Sequence, residues 1–300
     1  MKISIICPLY NGEKYIESLQ TSLEMQQDVK VESINYVLTE SNDGSEKILR
    51  TINANYTKIR KEQFSHSLTR EKCAMKASGD IIVFISQDVV IRDKFWLYNL
   101  TRDITNGSCD AAFSRQVCKS NGIEKYIRHI NYRNKSRIVS KSDINELGLM
   151  TFFFSDASSA ISKNKFVEIN GYDDKNLIIN EDVYLAYKLI MNGYRIKYCA
   201  DSEVEHSHKF TLKQLFNRYF DTGVFSAENS YLLKYNANKS GMKLVKSVFM
   251  NALKNKDFKA VISIIPNFAS RFIGMQLGRR YEKLSKNLSV KFSLNKNYWI

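Results

Sequence analysis

Two of three short polar clusters in this sequence contain carboxylates, and the first lies directly after an apolar run. Gln87 and Asp88 come after a β-branched stretch at residues 81–85. A carboxylate at the end of a buried strand can help to hold Mg²⁺, which takes one or two protein carboxylates together with phosphate oxygens. Capping of a turn or a helix is the competing interpretation of Asp88.

The second cluster, Glu181 and Asp182, opens a segment with helical periodicity at residues 181–192. The helix dipole explains one acid in the first turn. The other acid follows a polar loop and is free to face a cleft, where it could accept the proton of an attacking hydroxyl. Helix cap and general base are therefore both open interpretations of this pair.

The third cluster holds two of the four histidines, His206 and His208. On a strand they would share a face, and imidazole is a common ligand of Mn²⁺ or Zn²⁺. Structural histidines held by hydrogen bonds are the alternative. Arg70 falls in the first turns of a predicted helix, where a cation is favoured only beside an anion, so it predicts a phosphate contact. A surface ion pair with Glu40 or Asp43 is the competing interpretation.

Strands and helices must position these clusters, and over the first hundred residues the apolar pattern alternates between the two. Apolar, β-branched runs predict buried strands at residues 3–7, 34–38 and 81–85, with helical spacing between them. Such alternation predicts a parallel sheet with helices on both faces, whose ligands bind beyond the carboxyl ends of the strands. A further buried strand is predicted at residues 152–161, interrupted by Ser155 and Asp156.

The net charge of the 300 residues is +14, and its distribution is uneven. Residues 209–300 contain 17 Lys and Arg against four acids, so this region carries +13 and the first 208 residues carry +1. The charge thus predicts a boundary at residue 208 between a near-neutral body and a basic region. With 44% hydrophobic and 25% charged residues, the composition is that of a globular protein and excludes wholesale disorder.

Five scattered cysteines without a CxxC spacing argue against a structural zinc site or a disulfide framework, and they indicate a reducing compartment. The apolar run at the N-terminus is too short for a signal peptide. No stretch is expected to reach the ~20 apolar residues of a membrane span, because the best segment, residues 260–270, contains Pro266. These features predict a cytosolic protein, either free or peripheral on a membrane.

The order of the motifs resembles glycosyltransferase family 2, and within it the bacterial rhamnosyltransferase-like group. The segments that carry the resemblance are ICPLYNG (6–12), TESNDGS (39–45), FSHSLTR (64–70), SQDV (86–89), NED (180–182) and HSH (206–208). It implies the α/β GT-A fold, a Rossmann-like, mostly parallel central sheet with helices on both faces, followed by a basic α-helical C-terminal region.

The predicted domains are a catalytic domain at residues 1–208 and the basic helical region at residues 209–300. The catalytic domain divides into a nucleotide-binding half, residues 1–110, and an acceptor-side half, residues 111–208. Ser155 and Asp156 are expected on the acceptor side.

The resemblance also implies roles for single residues. Asp182 would be the general base, with Glu181 in support. Asp88 and His206 would hold Mg²⁺ or Mn²⁺, with His208 as an alternative or supporting ligand. The nucleotide-sugar contacts would come from Pro8, Tyr10, Asn11, Glu40, Arg70, Gln87 and Asp88.

The implied reaction is inverting, metal-dependent transfer of L-rhamnose from dTDP-rhamnose to a hydroxyl of a growing, lipid-linked cell-surface polysaccharide. A UDP-hexose, UDP-N-acetylhexosamine or UDP-galactofuranose donor is the alternative within the same fold. A nucleotidyltransferase and a basic nucleic-acid-binding protein are the alternatives from other classes. No phosphate-binding Gly-rich loop and no nucleic-acid motif supports either of these, so no nucleic-acid partner is expected.

The basic region interleaves its charges with apolar residues at helical spacing. Leu215, Phe216 and Tyr219 share one predicted helix face, and Val245 and Phe249 share another beside Lys residues. Such faces suit an anionic bilayer surface and predict an enzyme peripheral on the inner face of the cell membrane. Packing on the catalytic body, or on a second subunit in a homodimer, is the alternative.

Overall fold

A computed structural model describes residues 1–119, 122–235 and 240–300 of the chain. Its centre is one eight-stranded sheet. The strands are β1 (Lys2–Leu9), β2 (Lys30–Thr39), β3 (Tyr56–Ile59), β4 (Ile81–Ile85), β5 (Ala111–Val117), β6 (Arg137–Val139), β7 (Ser158–Ser162) and β8 (Ile196–Glu205). Their spatial order is β3-β2-β1-β4-β7-β5-β8-β6.

Most strand pairs are parallel, as the alternation of strands and helices predicts. The exceptions are β7, which runs antiparallel to both β4 and β5, and β6, which runs antiparallel to β8. The predicted strand at residues 152–161 is wrong at its start, because only Ser158–Ser162 pairs in the sheet. Gly148–Phe152 instead forms a 3₁₀ helix, and Ser155 and Asp156 lie in the loop that leads into β7.

Twelve α-helices are described, and the sheet separates two hydrophobic cores. They are α1 (Ile16–Glu24), α2 (Ser45–Thr51), α3 (His66–Lys76), α4 (Trp96–Thr105), α5 (Ile123–Asn131), α6 (Ile144–Leu147), α7 (Lys163–Glu168), α8 (Glu181–Met191), α9 (Leu212–Glu228), α10 (Ser240–Lys254), α11 (Phe258–Gly278) and α12 (Lys286–Phe292). Helices α1, α2 and α4 pack in one core, and α3, α7, α8 and α9 pack in the other. This arrangement confirms the predicted α/β class with helices on both faces.

The C-terminal helices attach to this body in two ways. Helix α9 places Phe220, Val224 and Phe225 in the same core as α8 and the strands. It crosses α11 closely, because a Cβ atom at Gly278 would lie 2.0 Å from the carbonyl oxygen of Phe220. Helices α10 and α11 form a third apolar cluster with α5. The boundary at residue 208 stays a prediction, although α9 shares the core of the body.

Helix α11 corrects the expectation that no segment is long enough to cross a membrane. It has 21 residues, and an 18-residue window within it has a mean hydropathy of 1.2, so one described helix meets the length and composition of a span. Pro266 lies inside it without ending it. The criterion concerns length and composition alone, and Gly274 and Gly278 of this helix are packed against α9.

Candidate active site

A cleft of about 660 Å³ lies at the edge of the sheet where β4, β5 and β8 end. It brings together the three clusters that the sequence singles out, since Asp88, Asp182 and His206 all line it. Helix α9 closes one side with Leu215, Arg218, Tyr219 and Asp221. The C-terminal region thus supplies part of the wall of the cleft.

Asp88, His206 and His208 form a compact group in this cleft. One ligand atom from each lies within 4.8 Å of the others. His206 Nε2 lies 3.5 Å from Asp88 Oδ1, and His208 Nδ1 lies 3.5 Å from Asp88 Oδ2. The two histidines follow β8 in a loop, which differs from the predicted strand, yet their rings meet at a centroid distance of 4.4 Å.

The electrostatics of this group suit a cation. Burial alone would raise the pKa of Asp88, but His206 and His208 lower it further than burial raises it, so the carboxylate stays ionised. Burial, with the neighbouring His206, lowers the pKa of His208 to about 4, so its imidazole is neutral at pH 7. One carboxylate and two imidazoles are a donor set that fits Mn²⁺, and less readily Mg²⁺.

Asp182 lies in the first turn of α8 and lines the cleft. The Val183 N–H donates to Asp182 Oδ1 at 2.8 Å. Burial, together with the negative charges of Glu181 and Asp156, holds the pKa of Asp182 well above its usual range. A carboxyl group with a raised pKa is a stronger base once it is ionised.

Glu181 and Arg70 form a buried ion pair beside Asp182. Arg70 Nη1 donates to Glu181 Oε1 at 3.1 Å and to the carbonyl oxygen of His66 at 3.0 Å. Burial alone would raise the pKa of Glu181, but His66 and Arg70 lower it below its usual value. The surface pairing of Arg70 with Glu40 or Asp43 is therefore wrong, because Arg70 is buried and joins α3 to α8.

Ser155 and Asp156 line the cleft from the loop before β7. Both carboxylate oxygens of Asp156 are occupied: Ser159 Oγ donates to Oδ1 at 2.8 Å, and the Tyr172 hydroxyl donates to Oδ2 at 2.6 Å. Burial raises the pKa of Asp156. Ser155 Oγ accepts from Gln116 Nε2 at 2.7 Å.

Of the residues expected to contact the nucleotide, Arg70 and Asp88 line this cleft, whereas the other five lie outside its lining, at the same edge of the sheet. Gln87 fixes the loop after β1, because its amide accepts from the Tyr10 N–H and donates to the Tyr10 carbonyl oxygen, both at 2.9 Å. The backbone of Asn11 in this loop is left-handed, with φ of 49°. Glu40 is exposed after β2. Pro8 sits near the end of β1.

Asp43 is the neighbouring carboxylate that could compete with Glu40 for a nucleotide. Its Oδ2 accepts from the Glu13 N–H at 3.1 Å and from Ser45 Oγ at 2.8 Å. These hydrogen bonds hold the Asp43 side chain within the loop. The exposed Glu40 is therefore the better placed of the two acids to contact a nucleotide.

Several residues of the cleft carry no recognisable signal in the sequence. Gln116 ends β5 and contacts His206, while Arg128 of α5 donates to Gln116. Arg218 of α9 lowers the pKa of both Asp182 and His208 by its charge. Only its position on a helix face, one turn from Leu215, could have pointed to Arg218, since its proximity to these groups depends on how α9 packs against the cleft.

Comparison with known proteins assigns this fold and cleft to a family of glycosyltransferases. The model of the family described as glycosyl transferase family 2 matches residues 4–169. The chain therefore belongs to glycosyl transferase family 2, as the motif order predicts. This membership favours glycosyl transfer over the nucleotidyltransferase and nucleic-acid-binding alternatives.

Two curated relatives match over most of their length. The chain is 31% identical to the O-antigen chain rhamnosyltransferase RfbN of Salmonella typhimurium, over 100% of this chain and 96% of the relative. It is 33% identical to the O-antigen chain rhamnosyltransferase WbaN of Salmonella anatum, over 86% of this chain and 83% of the relative.

Solved structures share the fold at low sequence identity. The mannosyltransferase PcManGT from Pyrobaculum calidifontis, in complex with GDP-Man and Mn²⁺, aligns with a TM-score of 0.61 and 14% identity, covering 94% of this chain and 86% of the other. S. aureus TarS 1–349 in complex with UDP-GlcNAc aligns with a TM-score of 0.54 and 16% identity, covering 94% and 92%. These similarities confirm the GT-A fold.

Proposed function

We propose that this chain is an inverting, metal-dependent rhamnosyltransferase that uses dTDP-L-rhamnose. The acceptor is a hydroxyl of a growing, lipid-linked surface polysaccharide. The observation that carries the proposal is the meeting of the Asp88, His206 and His208 group with Asp182 in one cleft. The names of the two relatives, which match over most of this chain, support the choice of sugar and of polysaccharide.

Asp182 is the proposed general base. The acceptor hydroxyl oxygen attacks the anomeric carbon while the bond from that carbon to the diphosphate oxygen breaks. The electron pair of this bond leaves with the nucleoside diphosphate, and the hydroxyl proton passes to Asp182. A single displacement of this kind inverts the anomeric configuration. The charge of Glu181 supports the base, because it raises the proton affinity of Asp182.

Asp88 and His206 are the proposed holders of Mn²⁺ or Mg²⁺, with His208 as the third ligand. The donor set fits, since two of the three side chains are imidazoles and the third is an ionised carboxylate. When bound, the cation would neutralise charge on the departing diphosphate. The PcManGT complex contains Mn²⁺, which supports this assignment by fold similarity.

Arg218 is the proposed protein cation for the diphosphate, a role that the sequence suggested for Arg70. The guanidinium of Arg70 is buried against Glu181, and this contact supports a positioning role for Arg70 at the foot of α8. Arg218 is exposed and lines the cleft, where its charge acts on both His208 and Asp182. A guanidinium there would stabilise the negative charge that develops on the leaving group.

The nucleotide is proposed to bind at the adjoining edge formed by Pro8, Tyr10, Asn11 and Glu40. The exposed ring of Tyr10 offers a stacking surface, and its backbone is fixed by Gln87. On the other side of the cleft, Ser155 and Asp156 are the proposed acceptor-side residues. Because both oxygens of Asp156 are already bonded, it is proposed to shape the acceptor side rather than to move a proton.

Helices α10 and α11 are the proposed contact with an anionic membrane. Their outward face exposes Ile262 by 77% and Ile265 by 79%, together with Phe258, Phe249 and Met242. Helix α10 carries three Lys residues and α11 carries one, and anionic lipids attract such charges by about 1 kcal/mol each. Arg271 of α11 lines the cleft, so a bilayer on this face would lie close to a lipid-linked acceptor. The proposed location is therefore the cytoplasmic face of the cell membrane.

Donor specificity and transfer test this function directly. We expect dTDP with Mn²⁺ to raise the melting temperature of the protein more than UDP or GDP at equal concentration, because a ligand that binds only the native state stabilises it. We expect release of dTDP from dTDP-L-rhamnose only with a lipid-linked saccharide present. A preference for UDP, with turnover of a UDP-sugar, would replace rhamnose by one of the alternative donors.

A further inference from the structure

Gln116 stands at the centre of a buried hydrogen-bond group behind the proposed metal ligands. It lies in β5, and only 1% of its surface is exposed. Its Oε1 lies 2.9 Å from His206 Nδ1 and also accepts a hydrogen bond from Arg128 Nη1. Its Nε2 donates to Ser155 Oγ at 2.7 Å. Every polar atom of the side chain is therefore engaged.

These contacts determine which nitrogen of His206 carries the hydrogen. Arg128 can only donate, so the amide atom that faces it must be the oxygen. The same oxygen faces His206 Nδ1, and an amide oxygen only accepts. Nδ1 must therefore bear the hydrogen, which leaves a lone pair on Nε2.

The lone pair of Nε2 then faces another acceptor. Nε2 lies 3.5 Å from Asp88 Oδ1, and neither atom carries a hydrogen for the other when His206 is neutral. Two acceptors directed at each other attract only when a positive charge lies between them, either the proton of an imidazolium or a metal cation. In its neutral form, His206 therefore presents Nε2, beside Asp88, to a divalent cation.

We propose that Gln116 is a positioning residue that fixes the tautomer and ring orientation of His206 for divalent-cation binding, and that Arg128 locks the amide of Gln116. The proposal rests on the metal site of the proposed function. Through Arg128 and Ser155 the same group joins the cation-binding edge to the acceptor side of the cleft. Groups that hold the far nitrogen of a histidine ligand typically change metal affinity by about 10–100-fold when they are removed.

The first test compares Gln116→Leu with Gln116→Glu, using the full-length protein and Mn²⁺ alone. Free Mn²⁺ is measured by electron paramagnetic resonance. We expect Gln116→Leu to weaken Mn²⁺ binding by about 10–100-fold. We expect Gln116→Glu to keep wild-type affinity or to tighten it, because a carboxylate still accepts from both His206 and Arg128. Gln27→Leu, the same change at an exposed position, is the matched control and should bind as wild type.

The second test needs no metal. Long-range ¹H–¹⁵N NMR of the four histidines reports their tautomers, and we expect His206 to carry its hydrogen on Nδ1 in the wild type and in Gln116→Glu. Gln116→Leu should show a mixture of tautomers. If the wild type has this tautomer but binds no Mn²⁺, the proposed metal site fails while the role of Gln116 in fixing the ring stands.

Two results would overturn the proposal. One is a folded Gln116→Leu protein with unchanged Mn²⁺ affinity and an unchanged His206 tautomer. The other is a loss of affinity in Gln116→Glu as large as that in Gln116→Leu, which would indicate a merely structural need for glutamine. Should Gln116→Leu fail to fold, Arg128→Met replaces it: weaker Mn²⁺ binding supports the proposal, and unchanged binding overturns it.

Discussion

The sheet body and the C-terminal helices differ in their net charge and in where their charged residues lie. The body is close to neutral, and its acids and histidines meet at the ends of strands around one cleft. The helices carry nearly all of the net charge, yet α9 belongs to the core and wall of the body, while α10 and α11 expose an apolar face. The net charge changes at residue 208, but the hydrophobic core continues past that point into α9. The C-terminal region thus combines a helix that belongs to the core of the body with two helices that expose an apolar face.

The largest expected effect falls in the body. Asp182→Asn removes the proposed proton acceptor but keeps the shape of the side chain, so we expect turnover to fall by roughly 10²–10⁴-fold with nucleotide binding near wild type. Single-turnover rates and a thermal-shift titration with dTDP measure the two quantities. In the wild type, turnover should fall as pH decreases through the raised pKa of Asp182. Asp182→Asn with normal turnover on the true acceptor would exclude Asp182 as the base.

The second prediction tests whether α9 is part of the body. Phe220 is fully buried against the core, so Phe220→Ala should lower the free energy of unfolding by about 3–5 kcal/mol. Phe258→Ala is the matched control on the exposed face of α11 and should change it by less than about 0.5 kcal/mol. Urea unfolding at one protein concentration measures both. Equal effects of the two substitutions would remove the distinction between α9 and α11.

The third prediction concerns the docking face. Ile265→Ser removes an exposed apolar side chain from α11, and burial of such a side chain in a bilayer is worth about 1.5–3 kcal/mol, so binding to vesicles should weaken by roughly tenfold or more. Vesicles with and without anionic lipid are compared by flotation. Ile138→Ser, at an exposed position of β6, is the control and should bind as wild type.

The same face could be covered by a second copy of the chain instead. Sedimentation of the wild type and of Ile265→Ser distinguishes the two partners. A dimer that dissociates in the variant, with no vesicle binding by either protein, would contradict the membrane proposal.

The sequence could predict those parts of the site in which chemistry follows a strand. Asp88 comes directly after a fully apolar run, and the two histidines follow another strand, so parallel strands bring them to one edge. Gln116 and Arg218 could not be found in this way, because their partners lie outside their own strand or helix and only the packing of the elements brings them together. The fold class was predictable from periodicity. The direction of β7 was not, since the sequence of a five-residue strand does not distinguish parallel from antiparallel pairing.

Helix α11 shows a second limit of reasoning from the sequence. Pro266 led to the expectation of an interrupted segment, but the helix continues through it. A proline removes one backbone donor, and the free carbonyl is that of Ile262, whose side chain lies on the exposed face. Packing of Gly274 and Gly278 on α9 supplies stability that local propensity does not reveal.

The smallest expected effect concerns the C-terminal segment after α12, which returns to the body through α9. Asp221 Oδ2 accepts from the Leu294 and Asn295 N–H groups at 2.9 and 3.0 Å, and burial raises the pKa of Asp221 to about 6. In the unfolded chain an aspartate has a pKa of about 3.9. Between these two values the native state binds more protons than the unfolded state, so this residue makes stability fall as pH rises from about 4 to 6.

Asp221→Asn removes that titration and keeps an oxygen that can accept from both N–H groups. We therefore expect the melting temperature of the wild type, relative to Asp221→Asn, to decline as pH rises from 4 to 6 and to stay level above pH 7. The difference between the two proteins matters here, because acids with lowered pKa values, such as Asp43 and Asp103, titrate equally in both. If the melting temperatures of the two proteins change with pH in parallel, the charge of Asp221 does not affect its contact with the Leu294 and Asn295 N–H groups.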